Sequence, residues 1–156
     1  MATLASQLGV ELGPYGRDVI VRLGRQNSSG TYVYFREAVL GHAREYRLGS
    51  IDQSGSKDVV TLISRTVCAI GYSGMAYAMP GVKTLAIARK TGEPGVVPTM
   101  ATALDRSYPL ARPLYLYTRG TPTGAVKEFI DWTLGPEGQR IVSEIGYVPA
   151  PTVSAH

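Results

Sequence analysis

Histidine, cysteine and long apolar runs are what this 156-residue chain has least of, and each scarcity removes a class of function. The two histidines, His42 and His156, have no Cys or His partner at ligand spacing and read as surface residues, so no metal centre is indicated. The single cysteine, Cys68, lies in the apolar run Val67-Cys68-Ala69-Ile70; it cannot form an internal disulfide and is expected to be a buried small hydrophobe. No apolar run is long enough to span a membrane, and the first residues lack the basic segment, apolar core and small-residue cleavage site of a secretion signal. Charge is not concentrated either. Lys and Arg number 16 against 12 for Asp and Glu, a net charge of +4, and the basic residues are scattered. A nucleic-acid-binding stripe is therefore not indicated, while an anionic small ligand suits the balance.

What is present suits an ordinary globular chain. With 44% hydrophobic residues in 156, the sequence has material for one domain, or one and a fraction, with a real core. Residues 1–12 form a short amphipathic piece, with Leu4, Leu8 and Leu12 at four-residue spacing, ended by Gly13-Pro14. The pattern then predicts a strand over 18–23, a helix running to about Leu40 before Gly41, an extended stretch over 46–51, and a helix over 57–66 with Val59, Val60, Leu62 and Ile63 on its apolar face. A short buried strand of the parallel-sheet kind is predicted over 68–72, further strands over 82–88 and 113–118, and loop-rich chain over 91–105. From Thr123 the period becomes helical: Val126, Phe129, Ile130 and Leu134 share one face, Gly135-Pro136-Glu137-Gly138 restarts the helix, and Ile141, Val142 and Ile145 continue it to Gly146. The class is α/β.

The most informative stretch is Gly24-Arg25-Gln26-Asn27-Ser28-Ser29-Gly30-Thr31, between a strand-like and a helix-like segment. A strand that ends in a Ser/Gly/Thr turn opening a helix presents backbone N–H groups with no intrahelical partner at the positive end of the helix dipole. Ser29 and Thr31 add hydroxyl donors, Gly30 removes a Cβ that would hold an oxygen at a distance, and Arg25 brings a planar fork of donors to the same turn. Together these suit a tetrahedral oxyanion such as phosphate. The same residue types also suit a plain capped helix start.

The blocks Gly24-Arg25-Gln26-Asn27-Ser28-Ser29-Gly30-Thr31-Tyr32, Ser54-Gly55-Ser56, Ala69-Ile70-Gly71-Tyr72-Ser73-Gly74, Tyr108-Pro109-Leu110-Ala111-Arg112-Pro113-Leu114-Tyr115 and Phe129-Ile130-Asp131-Trp132-Thr133-Leu134-Gly135-Pro136-Glu137-Gly138-Gln139 resemble, in the same order, the phosphate-binding proteins of ABC-type phosphate uptake systems, over residues 8–149. The resemblance implies one lobe of a type 2 periplasmic-binding-protein fold, a mixed and mostly parallel sheet flanked by helices, with a C-terminal helical segment. By this reading residues 1–16 are an incoming connector, 17–112 the phosphate-binding lobe, and 113–156 a return strand and helices that pack on a first lobe this sequence does not show. The chain would then be a fragment, a truncated product or half of a split protein.

The resemblance implies that Arg25, Ser29, Gly30 and Thr31 bind inorganic phosphate. Some relatives have an acidic residue two positions after the Arg; Asn27 stands there and brings no charge. Further implications are an ABC permease as partner, a first-lobe polypeptide or a second copy docked through the C-terminal helices, and a periplasmic or extracytoplasmic location. Neither an enzyme activity nor a cofactor is expected. Two other classes compete. A phosphate-ester enzyme would draw on Asp52 and Asp58, which flank Ser54-Gly55-Ser56 but suit helix-start charges better, and an interaction module would draw on the basicity and the 10 tyrosines, most of which read as core.

Overall fold

Residues 20–150 are described by a computed structural model, in which the chain divides into two compact units with the boundary between Lys83 and Thr84. The amphipathic piece expected over 1–12 lies outside the described residues, as do Cys-free residues 13–19 and the last six.

The first unit is a three-stranded parallel sheet. Strand β1 (Val21–Arg25) is central, β2 (Ile51–Gln53) lies on one side and β3 (Ala69–Gly71) on the other. The register pairs Gly24 with Asp52 and Arg25 with Gln53 across one seam, and Val21 with Ala69 and Leu23 with Gly71 across the other. Parallel neighbours need long crossovers. Helix α1 (Gly30–Leu40) supplies the first and α2 (Ser56–Ile63) the second. Helix α1 stops at Gly41, whose φ of +80° suits a residue without a Cβ and whose N–H bonds the Glu37 carbonyl at 3.0 Å. Helix α2 packs on all three strands, and its fully buried Val59 and nearly buried Val60 form the core with Leu23 of β1. Each such side chain contributes about 1.5–3 kcal/mol by leaving water.

Several expectations are corrected here. The first strand runs on through Gly24 and Arg25, because pairing with β2 continues to Gln53, and the extended stretch pairs only over Ile51–Gln53. Strand β3 is not buried: Ala69 is half-buried while Ile70 and Gly71 are exposed, as befits an edge strand with one neighbour. Cys68 stands just before it with a left-handed φ of 60° and is half-buried, so it is a turn residue and not a strand core.

The second unit holds a short helix α3 (Met100–Leu104) and the pair α4 (Gly124–Leu134) and α5 (Pro136–Glu144), which pack on each other. The tight corner depends on Gly138, where a Cβ would lie 2.5 Å from the Trp132 carbonyl oxygen, and Gln139 donates to the Thr133 carbonyl at 2.8 Å. The strand expected over 82–88 is reduced to one antiparallel bridge, Ile87 with Val96. The strand expected over 113–118 is irregular, and Leu114, Tyr115, Leu116 and Tyr117 are exposed. An alternating segment becomes a strand only beside another, and no strand of this unit is there to pair with it among the described residues. Val126, Phe129, Leu134 and Ile145 of the helical faces are also exposed.

Candidate anion-binding site

All three strands of the first unit end at the same edge of the sheet, and the loops that follow them meet there: 26–29 after β1, 54–55 after β2, 72–74 after β3. In open parallel sheets this carboxyl edge is where ligands bind. The sheet pairing continues one step past β1, Gln26 N–H bonding the Gln53 carbonyl at 3.0 Å, before the chain turns.

That turn closes when Ser29 N–H donates to the Gln26 carbonyl at 2.9 Å. Ser29 is then the N-cap of α1: extended (φ −83°, ψ 130°), with its Oγ accepting from Thr31 N–H at 3.2 Å and its carbonyl from Val33 N–H at 3.2 Å. An Oγ that accepts keeps its own O–H hydrogen for a further acceptor. The Gly30 and Tyr32 amides are left with no partner inside the helix. No acidic residue stands in the first turn of α1, so its positive end is uncompensated.

Arg25 closes β1 and is half-buried. Its guanidinium turns to the β2–α2 loop, Nη1 donating to Ser56 Oγ at 2.6 Å and Nη2 to the Ser54 carbonyl at 2.8 Å, while its backbone N–H reaches the Tyr72 hydroxyl at 3.4 Å. Its Nε is buried without a hydrogen-bond partner. Ser73 Oγ donates to the Ser56 carbonyl at 3.0 Å, tying the loop after β3 to the start of α2. An aromatic group backs the site: Phe35 of α1 stacks on Tyr72 at 4.0 Å, and Tyr46 meets Tyr32 at 4.7 Å and Tyr72 at 6.2 Å. The Tyr46 hydroxyl donates to the Tyr32 carbonyl at 3.2 Å, and burial, together with the neighbouring Tyr72 hydroxyl, holds it protonated far above the usual phenol range.

The structure thus puts Arg25 at the strand end, Ser29 at the cap, and Gly30 and Thr31 in the first turn of the helix that follows. Sequence reasoning did not single out Ser54, Ser56 or Tyr72 as partners of Arg25. Only the parallel register brings them to it, although the Ser54-Gly55-Ser56 block was itself visible. The two carboxylates a hydrolase would need are engaged separately. Asp58 accepts from Gly55 N–H at 3.1 Å, closing the start of α2, whereas Asp52 is a strand residue accepting from Ser50 Oγ at 3.0 Å, which corrects its reading as a helix-start charge. Among the described residues, no group of three or more His, Cys, Asp or Glu could hold a metal.

The sequence matches the PBP superfamily domain over residues 13–137. This chain belongs to the PBP superfamily. Among its relatives, the phosphate-binding protein PstS of Pseudomonas aeruginosa is 36% identical over 143 residues, 89% of this chain and 44% of the relative. A phosphate ABC transporter substrate-binding protein from Clostridium perfringens, crystallised with bound phosphate, superposes with a TM-score of 0.74 at 31% identity, covering 96% of this chain and 58% of that one. A phosphate-binding protein of a phosphate ABC transporter from Streptococcus pneumoniae gives a TM-score of 0.72 at 25% identity, covering 88% and 54%. The PBP type 2 fold expected from the sequence is thereby established, and the chain spans about half the length of the relatives it matches.

Proposed function

We propose that this chain binds inorganic phosphate as part of the substrate-binding component of an ABC phosphate transporter, with Arg25, Ser29, Gly30 and Thr31 as the ligand residues. One observation carries the reading: a strand-end arginine and a Ser-capped helix start with no acid in its first turn occupy one strand-to-helix connection at the carboxyl edge of a parallel sheet. The names of its relatives and structural neighbours support phosphate as the anion. In this reading 17–112 carry the binding lobe and 113–156 the return segment; the boundary between the compact units falls inside the former. The exposed apolar residues of α4 and α5 support docking of that segment on a first-lobe polypeptide or on a second copy. An ABC permease would be the transport partner, the location extracytoplasmic, and the role binding without catalysis. Among the described residues no helix is long and apolar enough to cross a membrane.

Calorimetric titration of the chain with phosphate tests the reading. Arg25→Ala is expected to weaken phosphate binding by about 1.5–3 kcal/mol, the range for hydrogen bonds to a charged group. Equal heats for the wild type and the variant would overturn it.

A further inference from the structure

We propose that Ser56 is the positioning residue of the site, its hydroxyl and the Ser54 carbonyl fixing the Arg25 guanidinium for the anion with two neutral acceptors in place of a carboxylate. The inference rests on reading Arg25 as a phosphate ligand.

A guanidinium has five N–H donors on one rigid plane. Here one Nη1 hydrogen goes to Ser56 Oγ and one Nη2 hydrogen to the Ser54 carbonyl, at 2.6 and 2.8 Å. Nε is buried without a hydrogen-bond partner. One hydrogen remains on each of Nη1 and Nη2 for an oxyanion to accept. Bonds to two different Nη atoms fix the plane and not merely its position. The acceptor is itself held, for Ser56 is the first residue of α2 and its carbonyl accepts from Ser73 Oγ at 3.0 Å. Among the described residues Arg25 makes no ion pair, and Asn27 is exposed and uncharged. A hydroxyl and a carbonyl orient the cation without cancelling its charge, so the full positive charge remains for the ligand, whereas a carboxylate partner would offset it.

Two readouts on the full chain test this. Side-chain 15N NMR follows the Arg25 Nη groups directly, without ligand: hindered rotation about Cζ–Nη1 in the wild type is expected to be lost in Ser56→Ala and kept in Ser56→Thr, with Nη2 still held by the Ser54 carbonyl. Phosphate calorimetry is expected to show Ser56→Ala weakened about 5- to 20-fold, less than the full loss of a hydrogen bond to a charged group because the Ser54 carbonyl still holds Nη2. Ser56→Thr is expected within about 2-fold of the wild type, and Ser56→Ala to add nothing in an Arg25→Ala background. Should Ser56→Ala not fold, Ser56→Thr against the isosteric Ser56→Val separates hydroxyl from shape. Free rotation of the Nη groups in the wild type, or an equal loss from Ser56→Ala with and without Arg25, would overturn the positioning role. If Arg25→Ala itself leaves phosphate binding unchanged while the NMR restraint is present, the proposed function falls and the clamp stands; if Arg25 matters and Ser56→Ala does not, only the clamp falls.

Discussion

The first unit contains two strand-to-helix turns at the same sheet edge, and they differ in what they do with the positive end of the helix. After β1, the Ser29 cap leads into a first turn with no acid. After β2, Gly55 is the cap, and Asp58 in the first turn of α2 folds back to accept from its N–H. A carboxylate at a helix N-terminus satisfies the orphan donors and the dipole from within the chain. The second turn therefore completes itself, and its remaining polar groups, Ser56 Oγ and the Ser54 carbonyl, are spent on Arg25. The first turn is left open. Two connections of the same type thus divide the work, one to receive an anion and the other to hold the cation that helps receive it.

The contrast can be broken most severely by giving the first turn what the second already has. Thr31→Asp places a carboxylate in the first turn of α1 and is expected to lower phosphate affinity at least 100-fold, about 2.8 kcal/mol, in calorimetry, through like-charge repulsion and occupation of the donors. A loss under tenfold would mean that the α1 terminus is not where the anion sits.

A smaller effect, on stability alone, is expected from the converse change. Asp58→Asn removes the charge from the α2 terminus and should cost about 0.5–1 kcal/mol in urea unfolding, within the range for a first-turn acid at a helix dipole, while phosphate affinity stays within about 2-fold. Tighter phosphate binding would show that the second turn also competes for the anion.

The smallest effect is absent at neutral pH and concerns the aromatic group behind the first turn. Tyr46 has its pKa raised from 10.0, by burial first and the neighbouring Tyr72 hydroxyl second. The folded state thus keeps the proton that the unfolded chain loses, so the stability it supplies is complete below pH 10 and falls as the pH climbs above it. Urea unfolding across pH 8–12 is expected to show a shallower alkaline decline for Tyr46→Phe than for the wild type. Parallel declines would place the alkaline loss on other groups.

How far the sequence carried the reading depended on whether the signal was local. Helix α1, the α4–α5 corner and a cap within residues 28–31 were legible because capping residues, Pro136 and 3.6-residue spacing act within a few positions, while the structure singles out Ser29 as the cap. Arg25 and the Ser29-Gly30-Thr31 turn were legible for the same reason. The clamp was not, because Ser56 lies 31 residues from Arg25 and reaches it only through the β1–β2 register. The strands over 82–88 and 113–118 misled because alternation reports that a segment could be half-buried in a sheet, not that a partner strand stands beside it. Cys68 misled because its apolar neighbours hid a left-handed turn.

Backbone amide NMR during a phosphate titration tests the division between the two turns most directly. Saturable shifts are expected at Gly30, Thr31 and Tyr32, with Ser56, Lys57 and Asp58 moving little; shifts at the start of α2 with α1 silent, or no saturable shifts at either helix, would contradict it.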